Sequence, residues 1–167
     1  PPVSHPRWPL TSTVGVWVDE RGAPPLAGGL VRRAVQQWGA ALQGRVTLRV
    51  VGDASAAQIR VAFVDATGNY GETYPHVNLR TGVIDRAEVR IAAAVPGDGT
   101  TRAIVAYLTA LHELGHALGL EHTLAFDDIM YTFHQPDDGE RYFARYRARV
   151  RSLDDIGTNL EIGRAHV

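Results

Sequence analysis

The chain has 167 residues, 45% of them hydrophobic and 21% charged, which suits one globular domain with enough apolar material for a core. A formal net charge of −1 gives no electrostatic reason to expect a nucleic acid or an anionic membrane as partner, and no apolar run is long enough to span a bilayer. With no cysteine in the chain, disulfides, thiolate nucleophiles and Cys-ligated zinc are excluded together, so any metal must sit on His, Asp or Glu.

The opening PPVSHPRWPL carries neither an initiator Met nor a signal-peptide pattern and reads as a mature form or a fragment. Val14 to Val18 (VGVWV) is a β-prone run closed by Asp19-Glu20-Arg21-Gly22 and a Pro24-Pro25 break. Leu30, Val31, Ala34, Val35, Trp38, Ala41 and Leu42 then recur at helical spacing, and Gly44 ends the pattern. Val46 to Val51 and Gln58 to Val64 alternate and are rich in β-branched residues, so each is expected to bury one face against that helix. A less regular, Gly-rich region from Asp65 to Thr81 leads to a further alternating run, Val83 to Ile91. The order implies a mixed sheet covered on one side. A second helix is expected from about Thr101 to Leu118, capped by Thr100 or Thr101, and a third within Glu140 to Arg151, where Tyr142, Tyr146 and Val150 recur every four residues. The last seven residues, EIGRAHV, resemble translated adapter or vector sequence. The expected organisation is therefore one domain over 1–160 and a non-native tail over 161–167, with His166 discounted as a ligand.

Residues 112 to 122 read HELGHALGLEH. On a helix, positions four apart share a face, so His112 and His116 can aim both imidazoles at one metal. Glu113 stands about 100° around the axis from the first ligand, beside the metal rather than on it, where a base is needed. Residue 122 on a continued helix would be rotated off that face, but Gly119 takes φ > 0 freely, so the helix can end there and turn His122 back to the same ion. Three His ligands leave the fourth tetrahedral position open, which marks a catalytic rather than a structural zinc site.

The long form HExxHxxGxxH resembles the signature of the metzincin clan of metallopeptidases, and the chain's single methionine, Met130 in DDIMYTF, resembles the clan's Met-turn. Within the clan the likeness is to the matrixins, especially their small bacterial forms. It extends to the helix ending in QQW, the strand QIRVAFVD and the segment SLDDIG. The resemblance implies an α+β fold. Its parts would be a twisted mixed sheet of four or five strands, two long helices packed on it, an active-site helix, the Met-turn and a C-terminal helix cut short if the tail is foreign. It also implies an endopeptidase with one catalytic zinc, in which Glu113 serves as general base, Gly119 shapes the turn, and Asp154 and Asp155 are structural acids near the Met-turn. Calcium sites and a second zinc are not supported: the region 65–81, where animal matrixins carry a structural-zinc loop, contains only His76. Thr132 also stands where Pro is expected after the Met-Tyr pair, and the inhibitory Cys segment is missing.

By the same resemblance an extended polypeptide would lie along an edge strand, with Gly71, Thr73 and Tyr74 in the segment GETYP that matches it. Leu108 and Phe133 would line the pocket for the side chain after the cut. A monomer is expected, secreted or extracytoplasmic, with a propeptide or protein inhibitor as a further partner. Two other readings stay open. One is a catalytically inactive zinc-binding recognition module, against which the intact Glu113 argues. The other is a zinc hydrolase acting on a non-peptide substrate.

Overall fold

The computed structural model describes residues 5–65, 70–126, 128–132 and 137–158. Phe133 and the tail 161–167 lie outside the described residues. In chain order the elements are β1 (Ser12–Asp19), α1 (Ala27–Ala41), β2 (Val46–Val50), β3 (Ile59–Val64), β4 (Gly71–Val77), β5 (Ile84–Ala92), α2 (Gly99–Ala117) and α3 (Asp138–Arg147).

The strands form one sheet in the order β2-β1-β3-β5-β4. The first four run parallel, and β4 is antiparallel to β5 at the edge. β1 divides its length, pairing through Ser12 to Val16 with β2 and through Val16 to Asp19 with β3. β2 therefore ends and β3 begins level with Val16 on opposite sides of β1, which is why a short link joins two parallel strands that ordinarily need a long crossover. α1 packs over β1 and β2, α2 over β4 and β5, and the two helices pack on each other. The fold is the α+β arrangement expected: a five-stranded mixed sheet, two long helices and a short third helix.

The apolar stripe of α1 (Leu30, Val31, Ala34, Val35, Trp38) is buried in one core cluster with Val16, Ile59 and Val61 of the sheet and Ile104 and Leu111 of α2. Burying each such aliphatic side chain contributes roughly 1.5–3 kcal/mol. Trp38 is fully buried, and its indole N–H donates to Leu111 O at 2.7 Å, tying α1 to the middle of α2. Every residue of α2 from Tyr107 to Gly115 is buried, so the helix that carries the motif runs through the centre of the domain.

Three local expectations are corrected. The cap of α2 is neither Thr100 nor Thr101 but Asp98, whose carboxylate accepts from Thr101 N at 2.8 Å and satisfies a donor that the first turn leaves free. β2 does not bury a full face: only Val46 is buried, because the strand lies at the open edge of the sheet. The region 65–81, read as irregular, contains β4; it lacks alternating burial because Gly71 to Thr73 are all partly covered while Tyr74 to His76 are exposed on both faces.

Candidate metal centre and active site

α2 ends by the hydrogen-bond pattern that a glycine just past the last turn permits. Leu120 N donates to Gly115 O at 3.0 Å and Gly119 N to His116 O at 2.9 Å, with Gly119 at φ +98°. A Cβ on Gly119 would also lie 2.1 Å from Pro6 O, so the position excludes any side chain on two grounds. The segment before β1 crosses here: Trp8, buried, donates its indole N–H to Ala117 O at 2.8 Å, closing one more carbonyl of the helix end. Beyond the turn, Thr123 pairs with Tyr131, joining the segment that carries His122 to the one that carries Met130. The Asp128 carboxylate accepts from Met130 N at 2.8 Å and fixes the tight turn between them.

These elements bring three imidazoles together. The Nε2 atoms of His112, His116 and His122 lie 3.3, 3.2 and 3.0 Å apart. A tetrahedral ion with metal–nitrogen distances of about 2.05 Å requires ligand atoms about 3.3 Å apart, so the three nitrogens fit zinc. Their other nitrogens are engaged: His112 Nδ1 with Ile129 O at 2.7 Å and His116 Nδ1 with Leu120 O at 2.8 Å. With Nδ1–H donating to those carbonyls, each Nε2 keeps its lone pair for a metal. Burial pushes His112 down to about 4, so its ring is neutral at pH 7, as a ligand must be. Exposure rises from buried His112 through His116 to exposed His122, which leaves the cluster open on one side. Among the described residues this trio is the group of side chains able to share an ion.

Glu113 is 7% exposed. Its Oε2 lies 4.0 Å from His112 Nε2, and its Oε1 accepts from the Thr73 hydroxyl at 2.8 Å. Burial raises its pKa above the usual carboxylate range, opposed by the Thr73 hydrogen bond and the neighbouring His116. The trio and Glu113 line a cleft of about 830 Å³. Of the residues expected at a substrate site, Gly71, Thr73 and Leu108 line it as well. Tyr74 does not; its ring sits on the exposed sheet surface beneath the Arg90 guanidinium, 5.1 Å away, and its hydroxyl donates to Glu72. Met130 is buried beneath the centre against Gly115. Asp155 accepts from Arg151 N and Ser152 N as a local cap, and Asp154 is exposed. The Leu153 to Ile156 turn is bound to α1 by the Arg33 guanidinium, which donates to two of its carbonyls.

A family model described as Matrixin (Peptidase_M10) matches residues 27–145, which span α1 through most of α3 and include the whole motif. The chain belongs to the matrixin family. Among solved structures, one titled "Structure of myroilysin" is similar to this matrixin at 22% identity and a TM-score of 0.47, covering 93% of this chain and 69% of that one. No curated protein sequence matches significantly. As a matrixin with its three histidines and glutamate intact, the chain is a zinc metalloendopeptidase of the metzincin clan.

Sequence reasoning missed several residues of the site. Tyr70, Tyr142 and Phe143 also line the cleft, with Tyr70 and Phe143 meeting edge to face at 4.9 Å. α3 is held beside it by Asp138, fully buried, which accepts from the Tyr131 hydroxyl at 3.1 Å and from Arg141. Aromatic residues spaced at 142 and 143 next to a helix signal were visible, but nothing in the sequence says which face of α3 meets Tyr70.

Proposed function

We propose that this matrixin cleaves internal peptide bonds of extended polypeptides laid along β4. Among the described residues β4 pairs only with β5, so its outer edge is free to take an added strand through main-chain hydrogen bonds. Gly71, Thr73 and Tyr74 supply that edge, Leu108 lines the pocket for the side chain after the cut, and the family resemblance assigns Phe133, outside the described residues, to the same pocket. Met130 serves as the Met-turn under the metal, Gly119 as the turn that returns His122, and Asp154 and Asp155 as structural acids of the C-terminal segment.

His112, His116 and His122 would hold a zinc ion, which when bound would act as a Lewis acid on the scissile carbonyl and on a water near neutral pH. Glu113 takes the water's proton at Oε2, the oxygen that Thr73 leaves free, and returns it to the departing amine nitrogen. The reading rests on one observation above the others: three Nε2 atoms at zinc-ligand spacing with a buried carboxylate beside them on an open cleft. Among the described residues no helix is long and apolar enough to cross a membrane. We assign the domain to an extracytoplasmic setting as a monomer, met there by a propeptide or protein inhibitor, on the strength of the family.

Casein cleavage by wild type and by Glu113→Gln tests the function. Wild type should cleave, stop on addition of a zinc chelator, and recover with zinc; Glu113→Gln should keep one zinc and lose about 10²–10⁴-fold in rate. Cleavage that ignores the chelator, or a Gln variant near the wild-type rate, would refute it.

A further inference from the structure

We propose that Thr73 is a positioning residue for the general base, so that one edge strand sets both the register of the bound polypeptide and the place of the carboxylate that acts on it. This inference rests on the endopeptidase reading above.

β4 approaches α2 unusually closely at Gly71. A Cβ there would lie 2.8 Å from both Glu113 Cγ and Thr109 Cγ2, distances that no side chain could occupy without displacing the side chains of the base and of Thr109. Two residues on, the period of the strand returns the chain to the same face, and Thr73 is the first side chain directed at α2. Its hydroxyl oxygen lies 2.8 Å from Glu113 Oε1 and 3.0 Å from Glu113 O. A threonine hydroxyl has one proton, and Glu113 offers two acceptors, one at each end of the same residue. That one proton is shared between the base's carboxylate, the nearer acceptor, and its own main-chain carbonyl, and this three-centre contact restricts the torsions of the long side chain between them. Without that anchor, a glutamate with three rotatable bonds would sample orientations that point Oε2 away from the histidine nitrogens.

Because Thr73 is β-branched, its χ1 is stiff in a strand, which makes it a better fixed point than serine would be. The same residue's main chain lies on the free edge of β4. A polypeptide paired to that edge is thus referenced to the element that holds Glu113, and a shift of β4 would move substrate and base together. Misplacing a catalytic group by about 1 Å costs up to about 10²-fold.

The test uses the zinc-loaded domain with Thr73→Val, which replaces the hydroxyl by a methyl group at nearly constant shape, and Thr73→Ser, which keeps the hydroxyl. Steady-state kinetics on one peptide substrate should show Thr73→Val lowered in kcat by about 10–100-fold with KM within about 2-fold. Thr73→Ser should stay within about 5-fold of wild type, and zinc affinity by chelator competition should be equal in all three. Crystal structures give a readout independent of turnover: the Glu113 carboxylate should leave its wild-type position in the Val variant and keep it in the Ser variant. A Val variant with wild-type kcat or an unmoved carboxylate would overturn the proposal, as would a Ser variant as slow as Val. If Glu113→Gln is inactive while Thr73→Val is unaffected, the positioning role alone fails; if wild type shows no chelator-sensitive cleavage, the endopeptidase reading fails instead.

Discussion

Gly115 lies between the two metal ligands of α2, and its missing side chain is occupied by its neighbours. A Cβ added there would lie 2.4 Å from Met130 Sδ, 3.2 Å from Met130 Cε and 3.1 Å from Trp38 Cζ2. Favourable contacts between such atoms fall at about 3.5–4.0 Å, so Gly115→Ala requires a displacement of more than about 1 Å. Met130 and Trp38 are 1% and 0% exposed, and Trp38 is also held by its bond to Leu111 O, so neither can swing into solvent. Overpacking of this kind costs about 3 kcal/mol at the upper end of its usual range. Alanine returns about 1 kcal/mol through helix propensity, leaving a net loss of about 2 kcal/mol. For a domain of this size that corresponds to a fall in Tm of about 4–8 °C. The yielding element would be the Asp128 to Tyr131 turn, whose Ile129 carbonyl orients His112, so zinc affinity should weaken about tenfold as well. Thermal unfolding of the zinc-free protein and chelator competition of the loaded one measure the two effects separately. The double variant Gly115→Ala/Met130→Ala should lose less than the sum of the singles by about 0.5–3 kcal/mol, since the new methyl enters the space the sulfur leaves. A Gly115→Ala variant as stable as wild type, or strictly additive losses, would refute the packing argument.

Two further outcomes follow from the ends of α2. Gly119→Ala should weaken zinc binding more than Gly115→Ala does, because it opposes both the positive φ and the Pro6 carbonyl and so disturbs the turn that delivers His122; equilibrium dialysis of zinc would show it. Asp98→Ala should lower Tm at neutral pH by removing the cap. The Asp98 carboxyl is held below its ordinary range mainly by the Thr101 backbone N–H, so its stabilisation is present above the unfolded carboxylate pKa and lost as pH falls through the folded one. The gap between wild type and variant should therefore close in a Tm series taken toward low pH.

The metal centre was legible because helical period alone places His112 and His116 on one face and because a glycine at 119 announces the turn. The helices α1 and α2 were legible from their apolar repeats, whereas strand order was not: Val46 to Val51 alternates like a buried strand, and only the pairing with β1 shows that it sits at an edge. β4 escaped the element reading because Gly71 and Pro75 interrupt it and its burial does not alternate; only its likeness to the family's edge strand marked it. The cap was misplaced because hydroxyls at 100 and 101 stood nearer the apolar repeat than the carboxylate at 98, which the last turn before the helix actually presents. The bond between Thr73 and Glu113 joins residues 40 apart in sequence, and no local pattern encodes it.

The crossing of the N-terminal segment over the end of α2 has a practical side. Pro6 is itself part of the cleft wall, so the segment before β1 borders the catalytic groove. A purification handle joined directly ahead of Pro6 would start beside that groove and should be removed before kinetics are compared.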